Sequence, residues 1–477
     1  MSDPLSAVPP PGWSPLRSPL SRRALLTGAL ASTVAAAAGC FAPNAPTKED
    51  VSGPTPGARV PIELWSGWTE SAAKQIESIL ADYNRSQTAV VAKHVVVPGD
   101  MTQKLLAAVN ANRAPSAAIV FGAGLSYQLA ARQALVAVED IATPAELDRM
   151  NSWMTPGLRE LGRFEGKTYF VPMWSQCWGV FVNRTLAQKA GVDPDSPPED
   201  LDALAEAWRK MTTFDSRGEI EVLGGSTTDL SVVTGRFLGR LVSEDGNTIT
   251  TTDPGVVSAG RWIDDFWSSM GRKKMQNYVA SLQGRGERSG NQDPFLAGIQ
   301  ATTLTGPWQY DSILRYAPKG FSWTVWPFPK PAGVTKRGIY TYGDGFVFPS
   351  RGKDPGAGWQ LAQKLTGISG DVDLYSKLFT TWQCVNGPTS TQVDRSAYFR
   401  QKVIARCPGY DTIFLDELAH ADYYLYPPKI PTSSTYTSAL DAEFEKVRLG
   451  QVPLEEALAK VQSDAQTDLA RWKEQHA

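Results

Sequence analysis

The 477-residue chain has few histidines and cysteines and no surplus of charge of either sign. Its three histidines, His94, His420 and His476, lie far apart and have no Cys or carboxylate neighbour at metal-binding spacing. This pattern argues against a histidine-based zinc site or catalytic triad. The formal net charge of -2 leaves no basic surplus with which to bind nucleic acid. We therefore expect no metal, no cofactor and no nucleic-acid partner.

Long apolar runs are absent after residue 40, since no stretch approaches the roughly 20 residues that a membrane-spanning helix needs. Before that point, Arg22-Arg23 lead into an Ala-rich apolar stretch that ends in Ala37-Ala38-Gly39-Cys40. Paired arginines before such a stretch are typical of a twin-arginine export signal, and a cysteine after small residues is typical of a lipid-attachment site. The sequence thus predicts a signal peptide over residues 1–39 and a lipid anchor on Cys40.

Residues 41–60 contain many prolines and few apolar side chains, so they cannot bury a core and should form a flexible stalk. The lipid anchor and the stalk together occupy residues 40–60. We expect the mature protein to be tethered, only by its lipid, to the outer face of the cytoplasmic membrane of a bacterium.

Three further cysteines, Cys177, Cys384 and Cys407, follow the anchor. An exported location permits a disulfide bond. The preferred pairing is Cys384 with Cys407, which closes a loop worth about 3 kcal/mol in the chain-entropy model and leaves Cys177 as a small buried residue. The alternative is that all three thiols are reduced.

The folded body, about 415 residues, is larger than one core usually fills, which predicts two lobes. Its first part alternates short apolar strands, such as Ile62–Trp65 and Ala117–Phe121, with amphipathic helices, such as Met101–Asn112. Such alternation predicts an α/β fold. Farther along, the polar stretch 272–292 predicts a surface loop, and 438–471 predicts a helical end of the chain.

Tryptophan is abundant, with 15 residues, many of them beside Gly, Ser or Pro in turn-like contexts. Clustered, half-exposed aromatic rings are typical of a site for a ligand with broad apolar faces. One stretch, Trp-Ser-Gln-Cys-Trp, carries two of these rings around a glutamine. Strand-like alternation would place Trp174, Gln176 and Trp178 on one face and turn Ser175 and Cys177 away.

A series of short motifs runs along almost the whole mature chain. They are a strand-Trp-turn-helix start at 62–84, Tyr-Phe-Val-Pro at 169–172, Val-Asn-Arg at 182–184, Ala-Gly-Val-Asp at 190–193, Thr-Gly-Pro-Trp at 305–308, Trp-Pro-Phe-Pro at 326–329, Gly-Phe-Val-Phe-Pro-Ser at 345–350, Val-Asn-Gly-Pro at 385–388, and a last helix with Gly450 and Glu-Glu-Ala-Leu at 455–458. In this order the motifs resemble those of the extracellular solute-binding proteins of ABC importers, in the carbohydrate-binding group that includes maltose-binding protein.

The resemblance implies the two-lobed, type II periplasmic-binding-protein fold, an α/β fold with a central ligand cleft and a hinge that closes on binding. Lobe 1 would comprise residues 61–173 and 331–388, lobe 2 residues 174–330, and the C-terminal helical segment 389–477 would belong mainly to lobe 2. The implied function is capture of a carbohydrate by a monomer that hands it to two membrane permease subunits powered by a cytoplasmic ATPase, without chemistry.

The resemblance also implies ligand-binding residues. Trp308 matches the family turn whose tryptophan stacks on sugar, although a place in the lobe core is the alternative. Trp65 and Trp68 stand at the end of the first strand, where family clefts open, or else pack under the first helix. Beside them, Glu70 either accepts hydrogen bonds from ligand hydroxyls or is an exposed helix cap. The remaining candidates are Trp174, Gln176, Trp178, Tyr310, Tyr342 and Asp344.

Two other functions stay open at this point. A receptor of the same fold for glycerophosphodiesters or other polar headgroups would use aromatic cages, but the sequence offers no clear phosphate cradle. A cell-surface glycosidase would use paired carboxylates, for which Asp264 with Asp265 or Asp416 with Glu417 are the candidates. Adjacent residues of a helix point about 100° apart and do not straddle a bond, so these pairs are expected to be solvated helix faces.

Overall fold

The computed structural model describes residues 59–283, 292–381 and 388–476. The predicted signal peptide 1–39, Cys40 and Cys384 lie outside the described residues, as does all of the stalk but its last two residues. In the described ranges the strands are β1 (Val60–Ser66), β2 (Val90–Val96), β3 (Ala117–Val120), β4 (Arg163–Phe164), β5 (Lys167–Thr168), β6 (Val171–Pro172), β7 (Gly179–Asn183), β8 (Thr213–Phe214), β9 (Ile220–Val222), β10 (Thr302–Thr305), β11 (Trp323–Pro327), β12 (Gly338–Tyr340), β13 (Gly345–Val347) and β14 (Tyr423–Leu425).

The helices alternate with these strands along most of the chain. In the same described ranges they are α1 (Glu70–Ser86), α2 (Met101–Asn110), α3 (Ala123–Ala131), α4 (Val138–Ile141), α5 (Pro144–Trp153), α6 (Pro156–Leu161), α7 (Arg184–Lys189), α8 (Leu201–Met211), α9 (Leu230–Arg236), α10 (Pro254–Ser269), α11 (Arg272–Gln283), α12 (Gln309–Tyr316), α13 (Pro355–Leu365), α14 (Val372–Thr381), α15 (Ala397–Phe399), α16 (Asp416–His420), α17 (Ser433–Arg448) and α18 (Leu454–His476). Shorter helical turns occupy Thr391–Arg395, Arg400–Ile404 and Tyr410–Leu415.

The sheet of lobe 1 has the strand order β2-β1-β3-β13-β6 in the described residues. β1 is parallel to both β2 and β3, whereas β13 runs antiparallel to β3 and β6. All four residues of β3 are buried, because helices cover both faces of the sheet at its centre. The edge strand β2 instead alternates buried and exposed side chains along most of its length. The parallel strands of lobe 1 therefore end along one common edge.

Lobe 2 is built on a smaller antiparallel sheet with the described order β10-β7-β11. The central strand β7 is buried along its whole length. One face of this sheet packs in a second apolar core, which takes in α8, α10, α17 and α18. Its other face, with Phe181 and Val325, packs in the core that begins in lobe 1. The α/β character predicted from the alternation is confirmed.

Within the described ranges, three chain segments pass between the lobes. Residues 173–178 join β6 of lobe 1 to β7 of lobe 2, and residues 341–344 join β12 to β13. The two segments run side by side, since the Gln176 amide donates to the Tyr342 carbonyl at 2.8 Å and the Met173 amide to the Asp344 carbonyl at 2.9 Å. The third segment contains β14, which pairs with β12. Paired crossing segments of this kind form a hinge.

The structure corrects two of the predicted lobe boundaries. β12 packs on α9 of lobe 2, so the chain returns to lobe 1 only at β13 and not at residue 331. Residues 391–418 pack with α13 and α14 in the core that begins in lobe 1, and only the later helices α17 and α18 belong to the lobe 2 core. An amphipathic pattern shows which face of a segment is apolar but not which lobe receives it.

Two element predictions also change. Residues 272–283 form a helix rather than a loop, because Met275, Tyr278 and Leu282 are buried on one side of a mostly polar segment. The helical end of the chain is two helices, α17 and α18, separated by Gly450, whose backbone has a φ of 70°. That left-handed conformation is the usual end of a helix and favours glycine.

The bonding state of the cysteines differs from the predicted disulfide. Cys407 is a free thiol that is 1% exposed, so it is not half of the predicted bridge with Cys384. Its thiol packs in the aromatic core, where burial raises its pKa to about 12. Cys177 is also free and 1% exposed, which confirms that it is a small buried residue.

Candidate functional site

Three aromatic rings meet at the edge where the parallel strands of lobe 1 end. Trp68 follows β1, Phe121 follows β3, and Trp174 lies at the start of the first crossing segment. The Trp68 ring centroid is 5.7 Å from that of Phe121 and 5.6 Å from that of Trp174. Ligands of open α/β sheets bind outside the carboxyl ends of the strands. We call these three residues the lobe 1 aromatic cluster.

Phe121 is the exposed member of this cluster, at 41% of its surface. A single exposed apolar side chain is common on a protein surface, but this one adjoins a half-buried tryptophan at the ends of the parallel strands. Trp68 is half-buried and Trp174 is 6% exposed, so the three rings run from solvent into the protein. The cluster therefore offers an accessible aromatic face.

The turn after β1 holds Trp68 through a buried polar pair. The Trp68 amide donates to the Ser66 hydroxyl at 3.2 Å, and that hydroxyl lies 2.8 Å from Nε2 of His94 on β2. Burial lowers the pKa of His94 and keeps the imidazole neutral at neutral pH. Gly67 leaves room for the neighbouring ring, since a Cβ there would lie 3.0 Å from the Phe121 ring.

A buried carboxyl group lies against the lobe 1 aromatic cluster. Asp344 is 5% exposed, and its Oδ2 accepts from Nε1 of Trp174 at 3.2 Å. Its Oδ1 has no hydrogen-bond partner among the described residues. Burial raises the pKa of Asp344 to about 7, although the Trp174 hydrogen bond and the Gly122 amide act in the opposite direction. Because Gly345 pairs with Val120, Asp344 lies at the same edge of the sheet as Phe121.

A second aromatic pair stands at the edge of the lobe 2 sheet. The ring centroids of Trp178 and Trp308 are 5.5 Å apart with the planes at 85°. Trp178 precedes β7, and Trp308 follows β10, whose last residue, Thr305, pairs with Gly179. The six residues 173–178 thus link the two aromatic groups, one on each lobe. We call Trp178 and Trp308 the lobe 2 aromatic pair.

The Gly-Pro-Trp turn fixes the Trp308 ring. The indole folds back over Gly306, where a Cβ would lie 1.9 Å from the ring atom Cζ3. The next residue, Gln309, is 6% exposed and donates from Nε2 to Oδ2 of the buried Asp293 at 2.7 Å. Asp293 Oδ1 accepts from the Phe295 amide at 2.9 Å. The start of α12 is thereby held firmly while Trp308 itself stays half-buried.

The crossing segment 173–178 alternates as its sequence predicted. Ser175 donates to the Pro388 carbonyl at 3.2 Å and Cys177 approaches the Phe414 carbonyl at 3.8 Å, so both turn toward the C-terminal segment. Trp174 and Trp178 turn the other way, each toward a different aromatic group. Gln176 lies between them, half-buried.

Tyrosines and carboxylates extend the site along the second crossing segment. The Tyr340 and Tyr342 rings stack with centroids 6.1 Å apart. The Tyr342 hydroxyl abuts Gly122, at which a Cβ would lie only 2.5 Å away. Burial raises the pKa of Tyr342 well above its usual value, and Asp344 and Asp229 raise it further. The two tyrosines therefore lie in the field of more than one carboxylate.

Two of these carboxylates, Asp229 and Asp441, belong to lobe 2. Asp229 caps α9 by accepting from the Val232 amide at 3.0 Å, and Asp441 lies on α17. Both side chains are exposed, yet desolvation is the main cause of their raised pKa values, to about 6 for Asp441. Asp229 raises the pKa of Asp441 further. A carboxylate that is accessible to solvent and still desolvated lies in a concavity.

Several predicted residues have other places. Tyr310 is fully buried among Phe181, Tyr410 and other core rings and donates to the Pro408 carbonyl at 2.7 Å, so it belongs to the core and not to the ligand surface. Trp65 is half-buried against the core formed with α2 and α3, and its Nε1 donates to Glu63 at 3.1 Å. The side chain of Glu70 lies outside the described residues.

Four residues of this region were not predicted from the sequence: Phe121, Tyr340, Asp229 and Asp441. Phe121 ends a fully apolar run, and only its place at the strand edge distinguishes it from a core residue. Asp229 carried a signal, since an aspartate before an apolar helix is a common N-cap, but that signal indicates structure and not a site. Within the described residues no group of three or more His, Cys, Asp or Glu side chains could hold a metal ion. The helices of these ranges also lack the length and apolarity needed to cross a bilayer.

This architecture is similar to that of solved sugar-binding proteins. Solved structures share the fold at low sequence identity: CpMnBP1 with mannobiose bound (TM-score 0.69, 20% identity, 85% of this chain and 100% of that one) and the cyclic alpha-maltosyl-1,6-maltose binding protein of Arthrobacter globiformis (TM-score 0.66, 19%, 86% and 99%). The sugar-binding protein MalE of Xanthomonas citri is similar in the same way (TM-score 0.66, 17%, 87% and 98%). The predicted two-lobed, type II fold is confirmed.

A curated relative is the sn-glycerol-3-phosphate-binding periplasmic protein UgpB of Rhizobium meliloti, which is 26% identical over 163 residues. The match covers 33% of this chain, and the chain spans 37% of the length of that relative. The profile of the family described as "Bacterial extracellular solute-binding protein" matches residues 79–396, more than half of the chain. The resemblance noted in the sequence is confirmed, and the chain belongs to the bacterial extracellular solute-binding protein family.

Proposed function

We propose that this protein captures a carbohydrate between its lobes and delivers it to the permease of an ABC importer. The observation that carries the proposal is the presence of an aromatic group at the sheet edge of each lobe, joined by the crossing segment 173–178: Trp68, Phe121 and Trp174 on lobe 1, and Trp178 with Trp308 on lobe 2. A sugar ring has C–H faces that stack on aromatic planes and hydroxyls around its rim. Half-buried Gln176 and Tyr342, together with Asp344, are the polar groups proposed for that rim.

Closure of the hinge follows from this arrangement. A ligand that contacts both aromatic groups interacts more strongly with the closed arrangement of lobes than with the open one. It therefore shifts the equilibrium toward the closed form. The neighbours bind sugars according to their names, which supports the choice of ligand class.

A second candidate ligand is a glycerophosphate or glycerophosphodiester, which the likeness to the Rhizobium protein favours. The charges near the proposed site disfavour it. Carboxylates near the site raise the pKa values of their neighbours: Asp344 and Asp229 raise that of Tyr342, and Asp229 raises that of Asp441. An anionic phosphate that entered this region would be repelled by the same charges. We therefore rank the carbohydrate first.

Three of the four carboxylates considered for a glycosidase have arginine partners. Asp264 binds Arg272, with Nη2 to Oδ2 at 3.0 Å. Asp416 pairs with Arg337 at 2.5 Å. Glu417 pairs with Arg236. Carboxylates engaged in ion pairs with arginines are poor general acids, which supports a binding protein over an enzyme.

The remaining parts of the proposal concern location and partners. We propose export through the signal at 1–39, a lipid on Cys40, a stalk to residue 60, and a monomer that docks on two permease subunits with a cytoplasmic ATPase. Mass spectrometry of the protein purified from membranes tests the anchor. A mature N-terminus other than acylated Cys40 would contradict it.

The ligand class is tested by titrating the full chain, purified in detergent, with mono-, di- and oligosaccharides and with glycerophosphodiesters while tryptophan fluorescence and heat are recorded. We expect a saccharide to bind and Trp308→Ala to weaken it about 30-fold or more, since loss of a buried aromatic anchor costs about 2 kcal/mol or more. Trp472→Ala is the matched control, because Trp472 lies on α18 and stacks on His476. A response to glycerophosphodiesters alone would move the ligand to a headgroup.

A further inference from the structure

Asp344 is a buried carboxyl group with one oxygen unused. Its exposure is 5%, its Oδ2 has one hydrogen bond of 3.2 Å from Trp174, and its Oδ1 has no hydrogen-bond partner in the part of the chain that the structure describes. Buried carboxylates are normally paired with a cation or fully hydrogen-bonded. The unused oxygen can accept a hydrogen bond from a donor outside the chain.

The described residues supply no cation for this carboxylate. Among them no lysine or arginine forms an ion pair with Asp344, and the groups that act on it are the Trp174 indole and the Gly122 amide. One aromatic ring, that of Trp174, contacts it instead. Trp174 lies between the carboxylate and Trp68, and Trp68 contacts the exposed Phe121. Ring faces attract cations through their quadrupole, most strongly in tryptophan.

From this juxtaposition we infer that the carbohydrate proposed as ligand carries a protonated amine, which Asp344 binds beneath the lobe 1 aromatic cluster. The inference rests on the proposed function and narrows its substrate class. The ammonium group donates to Oδ1 of Asp344, and its charge lies against the faces of Trp68 and Trp174. The apolar face of the sugar then continues toward Phe121.

The surroundings of Asp344 favour a cation over a neutral group. The titratable side chains that act on this region are Tyr342 and Tyr340 of the hinge and Asp229 and Asp441 of lobe 2. Both tyrosines are neutral because burial raises their pKa values. Asp229 and Asp441 add negative potential at Tyr340, and Asp229 also does so at Tyr342. The cation next to Asp441, Arg448, is engaged over the Trp267 ring at 4.9 Å. A ligand ammonium would lower the pKa of each carboxylate by favouring its charged form.

A neutral sugar would use the same site differently. With the pKa of Asp344 raised to about 7, a protonated carboxyl could donate to a hydroxyl, and such binding would weaken as the pH rises. An amine needs the ionised carboxylate. The ionised fraction of Asp344 rises from about one tenth at pH 6 to about nine tenths at pH 8. Because apparent affinity scales with the competent fraction, amine binding should strengthen about tenfold over that range. The two modes have opposite pH dependence.

The experiment compares matched sugars on the full chain in detergent by isothermal titration. The probes are glucosamine and 6-amino-6-deoxyglucose, their N-acetyl forms and glucose, together with the glucosamine disaccharide and cellobiose. We expect at least one amine to bind at least tenfold more tightly than its N-acetyl and neutral counterparts. The primary amine of 6-amino-6-deoxyglucose serves for the pH series from 6 to 8.

Asp344→Asn is the test variant, because asparagine can still accept from Trp174. It should bring the amine preference, measured as the ratio of amine affinity to neutral-sugar affinity in the same variant, down to less than threefold. Asp202→Asn, at an exposed position on α8 of lobe 2, should keep the full preference. The pH series on the unmodified protein tests the same idea without any substitution.

The outcomes separate the two proposals. Equal binding of amine and neutral sugars, or amine binding that weakens from pH 6 to 8, overturns the inference and leaves the carbohydrate receptor intact. Binding of neutral sugars alone does the same. Response to glycerophosphocholine without any sugar binding overturns both, since the cation would then belong to a lipid headgroup.

Discussion

The buried carboxyl group of Asp344 should cost the protein stability as the pH rises from 5 to 8. Burial raises its pKa from 3.8 to about 7, and the Trp174 hydrogen bond and the Gly122 amide offset only part of that effect. Between these values the folded protein holds a proton that the unfolded chain has lost. Stability therefore falls with rising pH across this window and levels off above it.

The size of the effect follows from the shift. One pKa unit corresponds to about 1.36 kcal/mol, so the full window from 3.8 to about 7 is worth about 4 kcal/mol, and the part above pH 5 about 3 kcal/mol. Solvent screens little of this energy, since Asp344 is 5% exposed. These values are upper bounds, because a folded protein relaxes around a buried charge.

The assay is urea unfolding at pH 5, 6, 7 and 8 for the unmodified protein, Asp344→Asn and the exposed control Asp202→Asn. The lowered pKa of His94 makes the protein more stable as the pH rises, and the raised pKa of Asp441 makes it less stable. Both contributions are common to all variants, so the difference between variants isolates Asp344. We expect Asp344→Asn to remove up to about 3 kcal/mol of the pH-dependent loss. If Asp344→Asn and Asp202→Asn show the same slope as the unmodified protein, the reasoning is refuted.

Three further substitutions test packing. Gly122→Ala should destabilise by about 1–3 kcal/mol in urea unfolding, since the residue has a φ of 85° and a Cβ would press on the Tyr342 hydroxyl. Gly166→Ala, with a φ of 81° and open space, carries the backbone cost alone, and equal losses would contradict the clash. Gly306→Ala should displace the Trp308 ring and lower the affinity for the saccharide about tenfold in fluorescence titration. An unchanged affinity would show that the turn does not fix the ring. Glu417→Ala should lower the free energy of unfolding by about 3–5 kcal/mol, because Arg236 would stay buried without its partner. The control Glu455→Ala removes one member of an exposed pair and should cost less than about 1 kcal/mol. Similar losses in the two variants would contradict the role given to the buried pair.

The sequence predicted local structure well where periodicity was strong. The strand at Ile62–Trp65 lies inside β1, and the helix at Met101–Asn112 is α2 with two fewer residues. It failed at 272–283, where a few buried side chains outweigh a polar composition. Apolar period, not average polarity, decides whether a segment forms a helix.

The candidate site was predictable in its tryptophans and not in their surroundings. The Gly-Pro-Trp turn pointed to Trp308, and alternation placed Ser175 and Cys177 on the far side of the crossing segment. Tyr310 stands two residues after Trp308 and is nevertheless in the core. On a helix these two residues point in different directions, so nearness in sequence says little about which one meets the ligand.

The sequence by itself determined the alternation of strands and helices, the existence of two lobes and the family to which the chain belongs, because these depend on local periodicity, chain length and motif order. Tertiary structure alone decided what surrounds Asp344. It brings together residues from β1, β3 and both crossing segments, with Trp174 and Asp344 170 residues apart in sequence. The exposure of a carboxyl group and the charges near it arise only when such distant segments pack, and they set its pKa and its partner.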